Sequence, residues 1–253
     1  MHKPILSAPF LRRIWMNPEK PFDASAYPFF LPLYRKGDFE FHFENAVTIF
    51  VGENGSGKST LLEVIAGLIG FDQAGGGNGY RPTDHSRAVE TSGDRLSAHL
   101  RASWLPKVTH GWFFKAETFF TVARYLDIAA LDAHTAPPDF LSHSHGEGFL
   151  RFFEERCRFR GIYVFDEPES ALSPSRQVEL LKLIARIKKD GQGQVIMATH
   201  SPLLMALPGA ALFSMTRGEI VPTTLRETSH FAIYREFAEA PEAFIEEQLD
   251  ISE

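Results

Sequence analysis

Polar and aromatic residues alternate over residues 38–43, the period-two pattern of a strand with one buried face, and residues 46–51 are almost wholly apolar, as in a strand buried on both faces. The second run passes directly into glycines. Beyond them Leu61, Leu62, Val64, Ile65 and Leu68 recur at helical spacing, so residues 47–70 read as strand, glycine loop, helix. Residues 162–165 and 195–198 are short apolar runs flanking residues 177–189, where Val178, Leu181, Ile184, Ala185 and Lys188 fit one helix. Strand, helix, strand predicts a parallel crossover. Residues 112–117 read as the only good strand between the glycine loop and residues 144–147, and an amphipathic helix is expected over 148–158. Gly75-Gly76-Gly77-Asn78-Gly79 opens a polar stretch, residues 73–93, expected to be an exposed loop. In the acidic tail, Phe231, Tyr234, Phe237, Phe244, Ile245 and Leu249 are spaced for one or two amphipathic helices, expected to rest on the main body.

Composition narrows the class. With 253 residues, 44% hydrophobic and 23% charged, the chain is long enough for one large core or two small ones and is neither disordered nor fibrous. Lys and Arg number 26 against 32 Asp and Glu, a formal net charge of -6, so the surface as a whole does not advertise nucleic-acid or anionic-membrane binding. A local basic patch stays open: Arg81, Arg87, Arg95, Arg101 and Lys107 cluster in sequence, although Asp72, Asp84, Glu90 and Asp94 nearly cancel them. The single cysteine, Cys157, has no partner for an intramolecular disulfide. Residues 1–13 lack a long apolar segment followed by a cleavage site, and residues 195–215 are interrupted by His200, Pro202 and Pro208. The expectation is a cytoplasmic protein without direct membrane insertion, any membrane role passing through a partner subunit.

The chemistry concentrates in two motifs. Gly52-Glu53-Asn54-Gly55-Ser56-Gly57-Lys58-Ser59 fits the G-x-x-x-x-G-K-[ST] phosphate loop and sits between a buried strand and a helix, where that chemistry requires it. Glycines let successive N–H groups curl around phosphate oxygens, and the helix start adds a positive dipole end. Lys58 would offset β- and γ-phosphate charge, the Ser59 hydroxyl can ligate Mg²⁺, and Asn54, Gly55, Ser56, Gly57, Lys58, Ser59 and Thr60 are the candidate ATP contacts. Far downstream, Asp166 and Glu167 end the apolar run Gly161-Ile162-Tyr163-Val164-Phe165, and Pro168 stops its ladder. Asp166 is the candidate second metal ligand. Glu167 is the candidate for orienting the attacking water in phosphoryl transfer. The competing accounts are a glycine-rich turn and a pair of exposed acids at a strand end.

With Ala198-Thr199-His200-Ser201-Pro202 after the next apolar strand, this set resembles the ATP-binding cassette (ABC) superfamily, whose nucleotide heads also occur in SMC and DNA-repair ATPases. The resemblance implies an α/β P-loop NTPase of ABC-ATPase type: a mainly parallel sheet flanked by helices, an antiparallel β part near the N-terminus and a small helical or loop insertion. It implies that His200 bonds the γ-phosphate and holds Glu167 and water in line. Ser144-His145-Gly146-Glu147 resembles the family signature, Ser-Gly-Gly-Gln in its usual form, with His145 for Gly and Glu147 for Gln. There Ser144, Gly146 and Glu147 would meet the γ-phosphate held by the opposite subunit; a solvent loop, or a metal site using His143 and His145, are the other readings. Glu117 stands where the family has a metal-contacting glutamine. Ser170-Ala171-Leu172-Ser173 resembles the D-loop at the dimer interface, with Ser173 for the usual aspartate. Tyr34, Phe29 and Phe30 are candidates for stacking on adenine.

Within the superfamily the motif set is most similar to small stand-alone predicted ATPases of bacteria. The implied organisation is one ABC-type domain over residues 1–253: strands and phosphate loop in 1–70, insertion and signature region in 71–150, the acidic pair to the switch histidine in 151–226, and a helical tail in 227–253. The implied activity is Mg²⁺-dependent ATP binding and hydrolysis by a head-to-tail homodimer sandwiching ATP, with the cycle coupled to a protein effector or DNA. The alternatives are the motor subunit of a membrane transporter and an ATPase regulator of a defence or toxin effector.

Overall fold

A computed structural model describes residues 6–78, 92–140 and 145–249. Its elements begin with β1 (Leu11–Met16), β2 (Glu40–His42), β3 (Val47–Val51), α1 (Lys58–Ile69), α2 (Ser92–Ser97), β4 (Leu100–Trp104) and β5 (Gly111–Lys115). They continue with α3 (Phe119–Asp132), α4 (His145–Arg156), β6 (Gly161–Asp166), a 3-10 turn (Pro168–Ala171), α5 (Pro174–Lys189) and β7 (Gly193–Ala198). The last are α6 (Pro202–Met205), β8 (Ala211–Met215), β9 (Ile220–Thr223), a second 3-10 turn (Leu225–Glu227), α7 (Ser229–Glu239) and α8 (Pro241–Leu249). No helix among the described residues is long and apolar enough to cross a membrane.

The main sheet has the order β5-β6-β7-β3-β8-β9, parallel except for β9, which runs antiparallel to β8. Every residue of β3, β6 and β7 is buried, as near-continuous apolar runs in a parallel sheet covered on both faces must be. Alternation within β3 sorts side chains between two cores. Val47, Ile49 and Val51 join the core beneath α3, α4 and α5, whereas Phe50 joins the one formed by α1 and the antiparallel sheet β2-β1-β4. That second sheet is the antiparallel part expected near the N-terminus. Buried Gln194 fastens it to the main sheet: its Oε1 accepts from the N–H of Phe10 and Leu11 at 2.8 Å each, and its Nε2 donates to Leu11 O at 3.1 Å. Most of the phenylalanines are buried, while Phe30, Phe120, Phe159 and Phe237 are exposed; Phe114 stacks on Phe165 at 4.6 Å between centroids, with Phe153 edge-on to both.

The helix expected over 177–189 is α5, and two other expectations are corrected. The buried face of α5 is Gln177, Leu180, Leu183, Ile184 and Ile187, while Val178 is exposed. The helix carries apolar residues on two adjacent stripes, and the stripe with more large aliphatics faces the sheet. The glycine run does not begin an exposed loop: Gly75, Gly76 and Gly77 are buried, and Gly76 exchanges backbone hydrogen bonds with Phe113 of β5 at 2.9 Å. A Cβ on Gly77 would lie 2.8 Å from the Trp112 ring, so the absence of side chains is what allows this close approach. Residues 79–91, the rest of that stretch, lie outside the described residues. The tail does form two helices, but neither has a buried residue, and Ile233, Tyr234, Phe237, Ile245 and Leu249 are exposed.

Candidate active site

The chain leaves β3 at Val51 and enters α1 at Lys58, so residues 52–57 form a loop at the C-terminal edge of a central strand. Gly55 (φ 76°) and Gly57 (φ 97°) take the left-handed conformation that curls it back on itself. The first amides of α1, at Lys58, Ser59 and Thr60, have no carbonyl a turn earlier to bond, which leaves donors and the dipole's positive end facing the loop. Ser56 Oγ, within the loop, is buried without a hydrogen-bond partner. Lys58 is buried, and its Nζ donates to the carbonyls of Gly52 at 2.8 Å and Glu53 at 3.1 Å. Burial lowers its pKa, against the opposing pull of Glu167, Asp166, Glu169 and Glu53.

The two motifs meet directly. Ser59 Oγ donates to Asp166 Oδ1 at 3.1 Å, from the first turn of α1 to the end of β6. Asp166 is buried, and its pKa rises from an ordinary 3.8 to about 6: burial dominates, Glu167 and Glu63 add to it, and Lys115 and Ser59 oppose it. Lys115 is the register partner of Asp166 at the end of β5, and its Nζ pairs with Glu63 of α1 at 3.0 Å. Burial opposes the Lys115 charge, but Glu63 outweighs it and the pKa is raised. A hydroxyl and a carboxylate in a pocket rich in negative charge are hard oxygen donors, the kind Mg²⁺ takes together with phosphate oxygens. The donor set fits that ion.

Glu167 occupies the left-handed region (φ 47°, ψ 53°), unusual for a residue with a Cβ and typical of strained positions at working sites. It is held there from both sides, its N–H donating to Ala198 O at 3.0 Å and its carbonyl accepting from Ser170 Oγ at 2.7 Å. Its Oε1 lies 3.4 Å from His200 Nε2. The His200 N–H donates to Glu169 Oε1 at 2.5 Å, and His200 Nδ1 is 2.9 Å from Nε2 of His230 on α7. Burial raises the pKa of Glu169. A buried chain of bonds links the neighbouring loops: Ser201 Oγ donates to Gln177 Oε1 at 2.6 Å, and Gln177 Nε2 donates to Leu172 O at 3.0 Å.

Lys58, Ser59, Asp166, Glu167 and His200 therefore gather around one loop, with Asn54, Gly55, Ser56, Gly57 and Thr60 forming or flanking it. Other expected residues stand apart. Glu117 is exposed, two residues beyond β5, and reaches this group through its field on Lys115. Gly146 and Glu147 begin α4, and the Glu147 carboxylate pairs with Arg176 of α5 at 2.9 Å. Ser144 and His143 lie outside the described residues, as do Arg81, Asp84, Arg87 and Glu90. Tyr34 and Phe29 are core residues, which removes them as adenine platforms, while Phe30 is exposed. Sequence reasoning missed Lys115, Glu63, Glu169 and His230. Glu169 was readable, three residues beyond Asp166 in the same acidic run; Lys115, Glu63 and His230 come from separate elements, and no local pattern joins them to the motifs.

Two family models match the chain: one described as "AAA domain, putative AbiEii toxin, Type IV TA system" over residues 122–206 and one described as "AAA domain" over residues 30–98. A "Putative ABC transporter ATP-binding protein" of Geobacter sulfurreducens is 30% identical over 193 residues, 68% of this chain and 65% of that protein. A thiamine import ATP-binding protein of Rhizobium meliloti is 27% identical over 69% of this chain and 77% of its own length. The chain thus spans just under two thirds of the Geobacter relative. Among solved structures, one described as "An inward-facing conformation of a putative metal-chelate type ABC transporter" aligns over 88% of each chain at 18% identity, with a TM-score of 0.49.

Proposed function

The chain belongs to the ABC superfamily of P-loop ATPases, and from that premise we propose that it is a Mg²⁺-dependent ATPase whose two copies sandwich ATP head to tail and pass the cycle to a partner. The observation that carries the reading is the 3.1 Å bond between Ser59 Oγ and Asp166 Oδ1, with Glu167 and His200 beside it. In this reading the loop amides and Lys58 hold the β- and γ-phosphates. Ser59 and Asp166 would hold Mg²⁺, which would supply positive charge against the negative charge that develops on the phosphate oxygens. Glu167 positions a water and takes its proton as the water oxygen bonds to the γ-phosphorus and the bond to the β-phosphate oxygen breaks. His200 holds the γ-phosphate and Glu167 in register. Glu117 would contact the metal through water, and Ser144, Gly146 and Glu147 would complete the site of the opposite copy.

Phosphate release by the wild-type chain and by Lys58→Ala tests the ATPase. Removing the buried ammonium is expected to lower kcat about 100-fold or more, as loss of a preorganised electrostatic group does. Equal rates would overturn the reading. The coupled partner is taken to be an effector protein or DNA. The import proteins among the relatives favour a second reading, the motor of a membrane transporter. The family described by a toxin and a type IV toxin–antitoxin system favours a third, a regulator of an effector. Co-purification with membranes in the presence of ATP separates the second from the others.

A further inference from the structure

We propose that His230, on the tail helix α7, is a positioning residue that sets the tautomer of His200 and thereby aims the His200 Nε2–H into the active site. The proposal deepens the ATPase reading and rests on it for its catalytic consequence. Two ring nitrogens face each other at 2.9 Å, His200 Nδ1 and His230 Nε2. Between neutral imidazoles one must donate and the other accept. On the far side of the His200 ring, Nε2 is 3.4 Å from the Glu167 carboxylate, in a buried place where it has no hydrogen-bond partner of good geometry. If His200 carried its proton on Nδ1, the lone pair of Nε2 would be turned toward a carboxylate oxygen, a repulsive contact. If His230 donates instead, the His200 proton sits on Nε2, on the side facing the Glu167 carboxylate. The second arrangement satisfies both contacts. It also gives the site a donor, which a bound γ-phosphate oxygen needs, where the first gives a second acceptor.

The start of α7 is built to hold this ring still. Thr228, the residue before the helix, is buried; its Oγ1 accepts from the Phe231 N–H at 3.2 Å and donates to Leu225 O at 2.7 Å. One turn earlier, Glu227 Oε2 accepts from the N–H and the hydroxyl of Thr224 at 2.8 Å each, a closed capping box. His230 follows two residues after the buried cap and is half-buried, whereas α7 from Ile233 onward is exposed. Burial, His200 and Lys58 lower the pKa of His230 while Glu53 opposes them, which agrees with a neutral ring able to act as a single donor. The tail helix therefore contributes to the active site through one side chain, and the switch histidine is continuous with the C-terminal helices.

The test uses the full chain as wild type, His230→Ala and His230→Gln, with steady-state phosphate release and long-range ¹H–¹⁵N spectra of ¹⁵N-histidine-labelled protein. His230→Ala is expected to lower kcat about 10- to 100-fold, the usual effect of losing the partner that orients a functional histidine, with KM for ATP unchanged. His230→Gln, whose amide keeps an N–H at the corresponding distance, is expected to restore most of the rate. The ATP-free wild type is expected to show His200 as the Nε2–H tautomer, and His230→Ala as a mixture. His200 found as the Nδ1–H tautomer in the wild type, or an alanine variant with wild-type kcat, overturns the proposal. Should no chain hydrolyse ATP, the functional reading fails, while the tautomer measured without ATP still decides the role of His230.

Discussion

Asp166 carries a charge that the folded protein disfavours. Its carboxyl holds a proton more tightly in the folded chain, with a pKa of about 6, than in the unfolded chain at an ordinary 3.8. Between about pH 4 and pH 6 the folded state binds that proton and the unfolded state does not, so stability contributed at this site falls as pH rises through the window and levels off above it. The loss is up to about 3 kcal/mol. Denaturant unfolding without Mg²⁺ is expected to show this slope in the wild type and lose it in Asp166→Asn; identical slopes would remove Asp166 as the cause. A cation at the same oxygens competes with the proton, so Mg²⁺ retention is expected to strengthen across the same interval. Gly57 is a second such position. Its φ of 97° costs a residue with a Cβ about 1–2 kcal/mol, and Gly57→Ala is expected to lower Tm accordingly.

At the scale of elements, the aromatic core beneath α4 and the exposed tail helices make opposite predictions from similar-looking sequence. Phe153 is fully buried, edge-on to Phe114 and Phe165. Phe153→Ala is expected to destabilise by about 3–5 kcal/mol, the range for emptying an aromatic site in a core. Tyr234→Ser and Leu249→Ser, on the exposed faces of α7 and α8, are expected to change stability by no more than about 0.5 kcal/mol. Chemical denaturation distinguishes them; a large loss at Tyr234 would mean that the tail is covered. β5 gives a sharper case. A Cβ on Gly111 would fall 1.8 Å from Ile162 O, inside the β5–β6 ladder, so even alanine must displace a strand.

These contrasts mark what a sequence makes legible. The phosphate loop could be read because strand, glycines and helix are contiguous, and Asp166-Glu167 because a buried run announces the end of a strand. The tail stripe of Phe231, Tyr234 and Phe237 has the same helical period as a core helix, and periodicity alone cannot say whether anything lies opposite it. For the same reason the two apolar stripes of α5 could not be ranked without the sheet they meet. Lys115, Glu63 and His230 enter the site from three elements whose meeting is decided by strand order and by the path of the tail, which no local pattern encodes.

On the scale of the whole molecule, strand order brings the functional groups to one edge. β7 lies between β3 and β6, so the phosphate loop after β3, the acidic pair after β6 and His200 after β7 emerge side by side at the C-terminal ends of adjacent parallel strands. Ser201, Gln177 and Leu172 then join the histidine loop to the segment after Glu167 by buried hydrogen bonds. Gly146 and Glu147 lie in the first turn of α4, where Glu147 pairs with Arg176 of α5; in the proposed reading they serve the site of a second copy. Light scattering after size exclusion on Glu167→Gln, with and without Mg-ATP, tests this most directly. The account predicts a monomer that becomes a dimer only with Mg-ATP, because the variant binds nucleotide and does not release it by hydrolysis. A variant that remains monomeric at saturating Mg-ATP would contradict the composite site.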